Sequence, residues 1–521
     1  MNLAVIHYHL LPSGVTGVIS LQLRALASAL DGNERMRVVL LHGGRDGTFP
    51  DDDFVGLRAL DVSVVEIPEL AYDHGRAGDP ARLVAALEHA FADQGLEVGE
   101  TVVQVHNHSL GKNASLPIAL SRFACHGHAL LLQIHDFAED FRPEDYRHLC
   151  RTLTPDDPTA LPLLLYPQGA NIHYAVLNGR DRATLLSAGV KVERLHQLAN
   201  PVLEPGPLAS FQEARRKLCE RLAVPEDRDF ILYPVRCIRR KNIGETLLWA
   251  ALAEGTATFG FTLAPRNPRE LPAYRNWKEL ARSLGLPCAF ETGEPGSGLT
   301  FGDNLAAADR IITTSVAEGF GMVFLEAWLA QRPLVGRDLP EITADFKAVG
   351  VKLADLQATF KVPVSWPGEN DFKSSVANTY RRALDAYSRE PPSAVALERE
   401  IESLMDSGCV DFGSLDPELQ CRVLRTVTHD GACRARLRDL NPWIDIALSR
   451  TVHDCRTTIS ENAAVIREHY SLEASGKRMW DVLHAVAASP RDQVPGVLPH
   501  AERILDAFLE LGRFHALRVA Q

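Results

Sequence analysis

The sequence predicts an α/β protein: two doubly wound, Rossmann-like domains followed by a mainly helical region. Three observations predict it. Short apolar runs alternate with segments of helical period, and they do so twice along the chain. In each half one such run ends in a glycine-bearing turn that enters a helix. From Ala394 onward the strand-like runs thin out and helix follows helix. Alternation of this kind implies parallel sheets covered on both faces. Ligands of such sheets gather beyond the carboxyl ends of the strands.

The totals narrow the class. A chain of 521 residues can hold two or three cores. Its 46% apolar and 23% charged residues are those of a soluble globular protein. A net charge of −12 argues against general attraction to nucleic acid or anionic lipid, while leaving room for a local basic pocket. Nine cysteines fall without any C-x-x-C pair and no H-E-x-x-H occurs, so neither a disulfide framework nor a metal site is expected. Reduced thiols point to the cytoplasm. The opening MNLAVIHYHLLPSG lacks a basic start and a long apolar region. No apolar run approaches the roughly 18 residues that span a bilayer. The expectation is a cytoplasmic protein with no integral membrane segment.

In the first half, Leu3–His7 reads as a strand, Gly14-Val15-Thr16-Gly17 as the turn after it, and Ile19–Leu30 as the helix that follows. Strands are then expected at 37–41, 62–67, 101–106, 129–135 and 172–177, with a helix at 81–92. Two polar clusters stand at strand ends. One is His106-Asn107-His108-Ser109, with Lys112 and Asn113 behind it; the other is His135-Asp136-Phe137, followed by Glu139-Asp140-Phe141-Arg142. Taken alone, each reads equally well as caps, core histidines and a solvated loop. Asn178 is a candidate N-cap, and Pro201, Pro205 and Pro207 mark a linker.

In the second half, Phe211–Leu222 is an amphipathic helix whose Arg215, Arg216 and Lys217 form a solvated face. The strand FILYPV (230–235) leads into Arg236-Cys237-Ile238-Arg239-Arg240-Lys241, and further strands are expected at 259–264, 288–292, 310–313 and 334–336. Asp309–Pro333 is the organising stretch: a buried strand, the turn Glu318-Gly319-Phe320-Gly321, then a helix carrying Val323, Phe324, Ala327, Trp328 and Leu329. A helix N-terminus reached through glycines offers free amides and the positive dipole end to an anion such as phosphate. Carboxylates accept hydrogen bonds from hydroxyl pairs, so Glu318 and Glu326 on either side suit a sugar and a ribose.

Glu318 and Glu326 within EGFGMVFLE, with Arg236 and Lys241 upstream in R-x4-K spacing, resemble the signature of retaining, nucleotide-sugar-dependent glycosyltransferases of the GT-B fold, family four above all. The resemblance covers roughly residues 1–388 and 460–485. It implies an acceptor-side Rossmann-like domain at 1–205, onto which 460–485 cross back, and a nucleotide-sugar domain at 206–388, the two facing a cleft. Residues 389–521 would then hold a helical insert, the closing helices and a short extension. The implied activity is transfer of a hexosyl group from a nucleoside-diphosphate sugar to an acceptor hydroxyl, with retention and without a required metal. Arg236 and Lys241 would hold the diphosphate, as fixed cations can in place of a metal. Glu318 would bind sugar hydroxyls, helped by Gly319, Phe320, Gly321, Met322 and Val323; Glu326 would bind the ribose; Gly14 and Gly17 would contact the donor; and His135 would support the sugar near the reacting carbon. His106, Asn107, Lys112, Asp136 and Arg142 are the acceptor-side candidates, and the last group leaves a small anionic acceptor open. No cofactor is expected beyond the donor, with UDP, GDP and ADP all compatible. Arg337-Asp338-Leu339-Pro340-Glu341-Ile342 resembles the family's "glipEi" turn with less glycine than usual. A sugar phosphorylase or epimerase of the same fold, or a catalytically silent scaffold, remains an alternative, and the helical region could mediate a homo-oligomer.

Overall fold

In the computed structural model, residues 1–30, 34–44, 57–75, 77–491 and 496–519 are described. The chain divides into two compact units. One is made of 1–202, 385–389 and 467–510; the other of 203–384, 390–466 and 511–521. The region 389–521, expected as a separate helical addition, is thus shared between the two units.

The first unit is built on seven parallel strands, β1 (Asn2–His7), β2 (Met36–His42), β3 (Leu60–Glu66), β4 (Thr101–His106), β5 (Ala129–Ile134), β6 (Ile172–Val176) and β7 (Leu195–Gln197), in the order β3-β2-β1-β4-β5-β6-β7. Every residue of β4, β5 and β6 is buried. That explains why these strands read as continuous apolar runs, as strands covered on both faces do. Helix Gly14–Ala29 covers one face together with helix Leu472–Ala487. Met479, Leu483 and Val486 of the second helix pack into the cluster of Leu3, Val5, Ile19, Leu23 and Leu26. The two helices approach so closely that a Cβ on Gly476 would collide with the carbonyl oxygen of Ala25. Helix Leu472–Ala487 thus belongs to the first unit, while residues 460–466 belong to the second.

The expected Gly-x-x-Gly turn is instead the first turn of the helix. Ser13 caps it, accepting from the Thr16 amide at 3.2 Å, and Gly17 N donates to Ser13 O at 3.0 Å. A serine followed by small residues suffices to start a helix, so the chain turns earlier, at Tyr8 to Pro12. Helix Ser115–Cys125 is an addition to the expected elements.

The second unit carries six parallel strands, β8 (Asp229–Arg236), β9 (Ala257–Leu263), β10 (Cys288–Phe290), β11 (Arg310–Thr313), β12 (Leu334–Arg337) and β13 (Leu356–Gln357), in the order β10-β9-β8-β11-β12-β13. Between Tyr233 and Arg236 the pairing of β8 with β9 shifts register. Pro234 lies in that interval, where a residue without an N–H interrupts the ladder. A small antiparallel sheet joins β14 (Lys361–Pro363) to β15 (Met405–Asp406) and β16 (Cys409–Asp411) of the mainly helical region, in the order β14-β16-β15. No helix among the described residues is long and apolar enough to cross a membrane.

Candidate active site

In the second unit the predicted residues converge at the carboxyl ends of two neighbouring strands. Arg236 ends β8, and the turn bearing Glu318 follows β11, which pairs with β8 in parallel. The basic loop is gripped through its backbone. The Lys241 carbonyl accepts from Tyr233 Oη at 2.9 Å and Thr314 Oγ1 at 3.0 Å. The Arg240 carbonyl accepts from the Val316 amide at 2.9 Å. Held this way, Lys241 Nζ donates directly to Glu318 Oε1.

The electrostatics follow from that pair. Burial alone would raise the Glu318 carboxyl, but Lys241 and Arg240 outweigh it and hold it below the usual range. Burial lowers the Lys241 ammonium against the opposing pull of Glu318. As a buried ion pair, each partner offsets part of the desolvation cost of the other. Arg236 has no carboxylate partner among the described residues; its Nη1 donates to the Ala264 carbonyl at 2.9 Å. Burial, then Arg266 nearby, lowers its pKa. Arg239, by contrast, is spent on Glu270, to which its backbone N and Nε both donate, at 2.9 and 3.3 Å.

The turn itself needs glycine at one position. Gly321 has φ of 84°, and a Cβ there would meet Phe324 at 2.6 Å. The helix behind it, Val323–Leu329, has only seven residues and no side-chain cap. Its macrodipole is correspondingly small, and the donors that matter are individual amides. Those of Gly321, Met322 and Val323 make no backbone hydrogen bond among the described residues, whereas Phe324 N is already turned onto Gly321 O at 3.0 Å. Phe320 is buried and packs edge-on against Phe346, fixing the turn from behind. Glu326 lies on the helix with its side chain open to solvent, although protein atoms on several sides raise its carboxyl pKa by desolvation. Guanidinium, ammonium and available amides thus share the carboxyl ends of β8 and β11, a set of donors suited to phosphate.

The predicted "glipEi" turn has a different use. Arg337, within β12, is buried and bonded to Glu245 and Asp411. Asp338 accepts from Thr343 Oγ1 and Lys347 Nζ, both at 2.6 Å, and Pro340 starts helix Pro340–Ala348.

In the first unit, His106 and His135 end or follow β4 and β5 and meet directly, His106 Nδ1 to His135 Nε2 at 2.8 Å. His7, at the end of β1, stands edge-on to His106 with ring centroids 6.2 Å apart. Burial pushes His135 down to about 4 and His7 to about 3, the latter helped by His9 and His135. His106 is driven down as well, by burial first and then His135 and His7. The imidazoles are therefore neutral at physiological pH. His7 Nδ1 and His106 Nε2 are buried without a partner among the described residues. His7 and His9 lie outside the expected set, although H-x-H after the first strand marks the same strand-end position.

Several acceptor-side candidates are already engaged. Asn107 takes φ of 56° and its Oδ1 accepts from the His135 and Asp136 amides at 2.7 and 3.1 Å, so it braces the histidine. Lys112 Nζ lies 2.8 Å from both Asp145 oxygens. Arg142 Nη2 donates to Asp136 Oδ1 at 2.6 Å. These pairs are half-exposed, so an anion could still compete for the cations. Gly14 and Gly17 face open space: a Cβ on either would have nothing within 4 Å. A cavity of about 500 Å³ beside helix Pro143–Leu153, lined by Arg147, Cys150 and Arg151 among others, contains none of the predicted residues.

No family model matches the chain. Over 534 aligned residues, 98% of this chain and 96% of the relative, it is 26% identical to mannosylglucosyl-3-phosphoglycerate synthase of Petrotoga mobilis. Its fold is similar to that of a glycosyltransferase from Rickettsia africae, with a TM-score of 0.50, 12% identity and coverage of 94% of this chain and 99% of that one. It is also similar to the N-terminal domain of trehalose-6-phosphate phosphatase from Candida albicans, with a TM-score of 0.51, 11% identity and coverage of 93% and 96%. The chain thus has two doubly wound units, a fold similar to that of a glycosyltransferase, and a sequence similar along almost its whole length to that of a glycoside synthase.

Proposed function

We propose that the protein transfers a hexosyl group from a nucleoside-diphosphate sugar to an acceptor hydroxyl, with retention of configuration and without a required metal. The observation that carries this reading is the Lys241–Glu318 contact at the carboxyl ends of β8 and β11, beside Arg236 and the available amides of 321–323. Departure of the nucleoside diphosphate places negative charge on the β-phosphate oxygens, and preorganised cations and amides stabilise it where it develops. When the diphosphate draws Lys241 away, Glu318 is freed to accept from sugar hydroxyls, and Glu326 is the ribose contact. The leaving phosphate is the base for the acceptor proton in this reading, because no carboxylate among the described residues is assigned as a covalent nucleophile.

In the first unit, we assign His135 to donor-sugar hydroxyls, Asp136 to the acceptor side, and Gly14 and Gly17 to close ligand approach. His106, Asn107, Lys112 and Arg142 shape or support the acceptor end. The name of the Petrotoga relative describes a phosphoglycerate-bearing glycoside as its product. From it we carry over the class of acceptor, a small anionic glycoside, which Lys112 and Arg142 would meet by exchanging their carboxylate partners.

The test is a melting-temperature panel of UDP, GDP, ADP and their hexose conjugates with EDTA present, since a ligand bound only by the folded state raises the midpoint. A base-specific rise, followed by transfer to an anionic glycoside whose product keeps the donor's anomeric configuration by NMR, is the expected result. No rise with any member of the panel would remove the donor-site reading. Orthophosphate-dependent turnover would redirect it to a phosphorylase.

A further inference from the structure

Directly after Lys241 the backbone takes an unusual step. Asn242 has φ of 50°, left-handed for a residue that is not glycine, and is buried. Its side chain is fully used: Nδ2 donates to Glu245 Oε2 at 2.8 Å, and Oδ1 accepts from Gln420 Nε2 at 2.9 Å. Gln420 belongs to helix Pro417–His429, in the inserted region for which neither motif nor resemblance supplies a role. The same Nε2 also donates to the Phe412 carbonyl at 3.0 Å. Gly244 leaves the room this requires, because a Cβ there would collide with Gln420 Oε1.

The network continues through the unit. Glu245 accepts from Arg337 Nε at 3.0 and 3.2 Å and from Nη2 at 2.5 Å. Arg337 Nη1 and Nη2 reach Asp411 of β16 at 2.9 and 2.8 Å. Asp411 Oδ1 accepts from the Phe360 amide at 2.8 Å. Gly413 lies so close that a Cβ on it would stand 2.7 Å from Arg337 Nη2, and its carbonyl lies 3.1 Å from His515 Nδ1, near the end of the chain. The turn Arg239–Lys241 itself packs against the turn Ala516–Arg518. A buried polar network in which each member answers another fixes a single geometry and tolerates few alternatives.

We propose that the inserted residues 409–420 and the C-terminal turn 516–518 are a brace for the cation loop, with Gln420 and Asn242 as positioning residues that set Lys241 where the donor diphosphate is received. The inference rests on the reading of Arg236 and Lys241 as the diphosphate clamp. The insert then has a specific role. The loop after β8 ends in a strained left-handed residue, and the side chain that holds it there comes from 178 positions downstream.

Asn242→Gly separates the brace from the backbone, since glycine keeps the left-handed step at no steric cost but breaks both side-chain bonds. Gln420→Leu removes the donor from the other side at similar volume. Leu397→Ala, at a buried apolar residue of helix Ala394–Ser403 that takes no part in the hydrogen-bond network, controls for loss of stability alone. In the full-length protein, whichever of UDP, GDP or ADP binds the wild type by calorimetry should bind Asn242→Gly and Gln420→Leu about five- to tenfold more weakly, the loss of one to two hydrogen bonds' worth of positioning. Hydrogen exchange of the peptide 236–243 should be faster in both, and Leu397→Ala should lower the melting point without either change. Wild-type affinity and unchanged exchange in the two folded variants would overturn the proposal. A wild type that binds none of the three nucleotides overturns the donor-site reading instead; faster exchange at 236–243 in the variants would then still support the brace.

Discussion

The carboxyl ends of the two sheets carry opposite chemistries. Beyond β1, β4 and β5 the first unit gathers His7, His106 and His135, which burial keeps uncharged. Beyond β8 and β11 the second gathers Arg236 and the ion pair of Lys241 with Glu318. Buried groups without a counter-charge escape the desolvation cost by becoming neutral, whereas paired ones can keep their charge. Neutral imidazoles suit hydroxyls, which both donate and accept; fixed cations suit phosphate. The same topology therefore offers two kinds of receptor, and the difference lies in which residue types end the strands.

That contrast is broken most sharply by removing one cation. Arg236→Ala or Lys241→Ala should cost about 10²–10³ in kcat, the ~3–4 kcal/mol typical of a donor aimed at developing charge. His135→Asn, which exchanges one neutral hydrogen-bonding group for another, should cost about fivefold, in line with ~1 kcal/mol for a neutral hydrogen bond. Steady-state kinetics with whichever donor the melting-temperature panel selects reads both. Equal losses would mean that the histidines carry as much of the chemistry as the cations, and the division between the two ends would go.

Acid sharpens the contrast next. A histidine whose folded-state pKa lies below its unfolded value stabilises the fold above the unfolded pKa, and that stability is lost as protons bind the unfolded chain first. For His135, held at about 4 against an ordinary 6.5, the loss accumulates as pH falls from about 6.5 through 4. It amounts to about 3 kcal/mol for this residue alone. Its neighbours in the titration are His7, His9 and His106, which penalise a second proton, and Asp136, which favours one. Glu318 adds its own loss only below the ordinary carboxylate range, because its pKa is depressed. Hydrogen exchange between pH 7 and 4.5 should therefore show β1, β4 and β5 losing protection before β8 and β11. The reverse order would place charge on the imidazoles in the folded state. His135→Gln should flatten the pH dependence.

Much of this is legible in the sequence, and the reasons are local ones. Strands buried on both faces announce themselves as apolar runs, and the motif residues Arg236, Lys241 and Glu318 sit at ends that parallel topology puts together. What stays hidden depends on partners far along the chain. Nothing near Arg337 shows that Glu245 and Asp411, 92 and 74 positions away, will bury it. Nothing near Lys112 shows Asp145 as its partner. Asn107 reads as a ligand-facing side chain, yet its oxygen is turned onto the amides of His135 and Asp136. The strands β13 to β16, two or three residues each, are too short for periodicity to reveal.

The smallest expected effect separates the two ends through their glycines. Gly321 is required by its own fold: φ is 84° and Phe324 occupies the space a Cβ would need, so Gly321→Ala loses stability whether or not anything binds there. Gly17 has no such constraint. It lies in the first turns of helix Gly14–Ala29, its hydrogen bond to Ser13 O is the ordinary helical one, and a Cβ would meet nothing within 4 Å. Alanine is the better helix former there by roughly 0.5–1 kcal/mol, so Gly17→Ala should raise the melting temperature slightly. If a ligand approaches the backbone at that position, the same substitution should raise KM several-fold while kcat changes little, because a methyl group obstructs binding without touching the reacting atoms. A more stable enzyme with an unchanged KM would make Gly17 an ordinary helix-start residue, and the open face of the first unit would then have to be explained by the histidines alone.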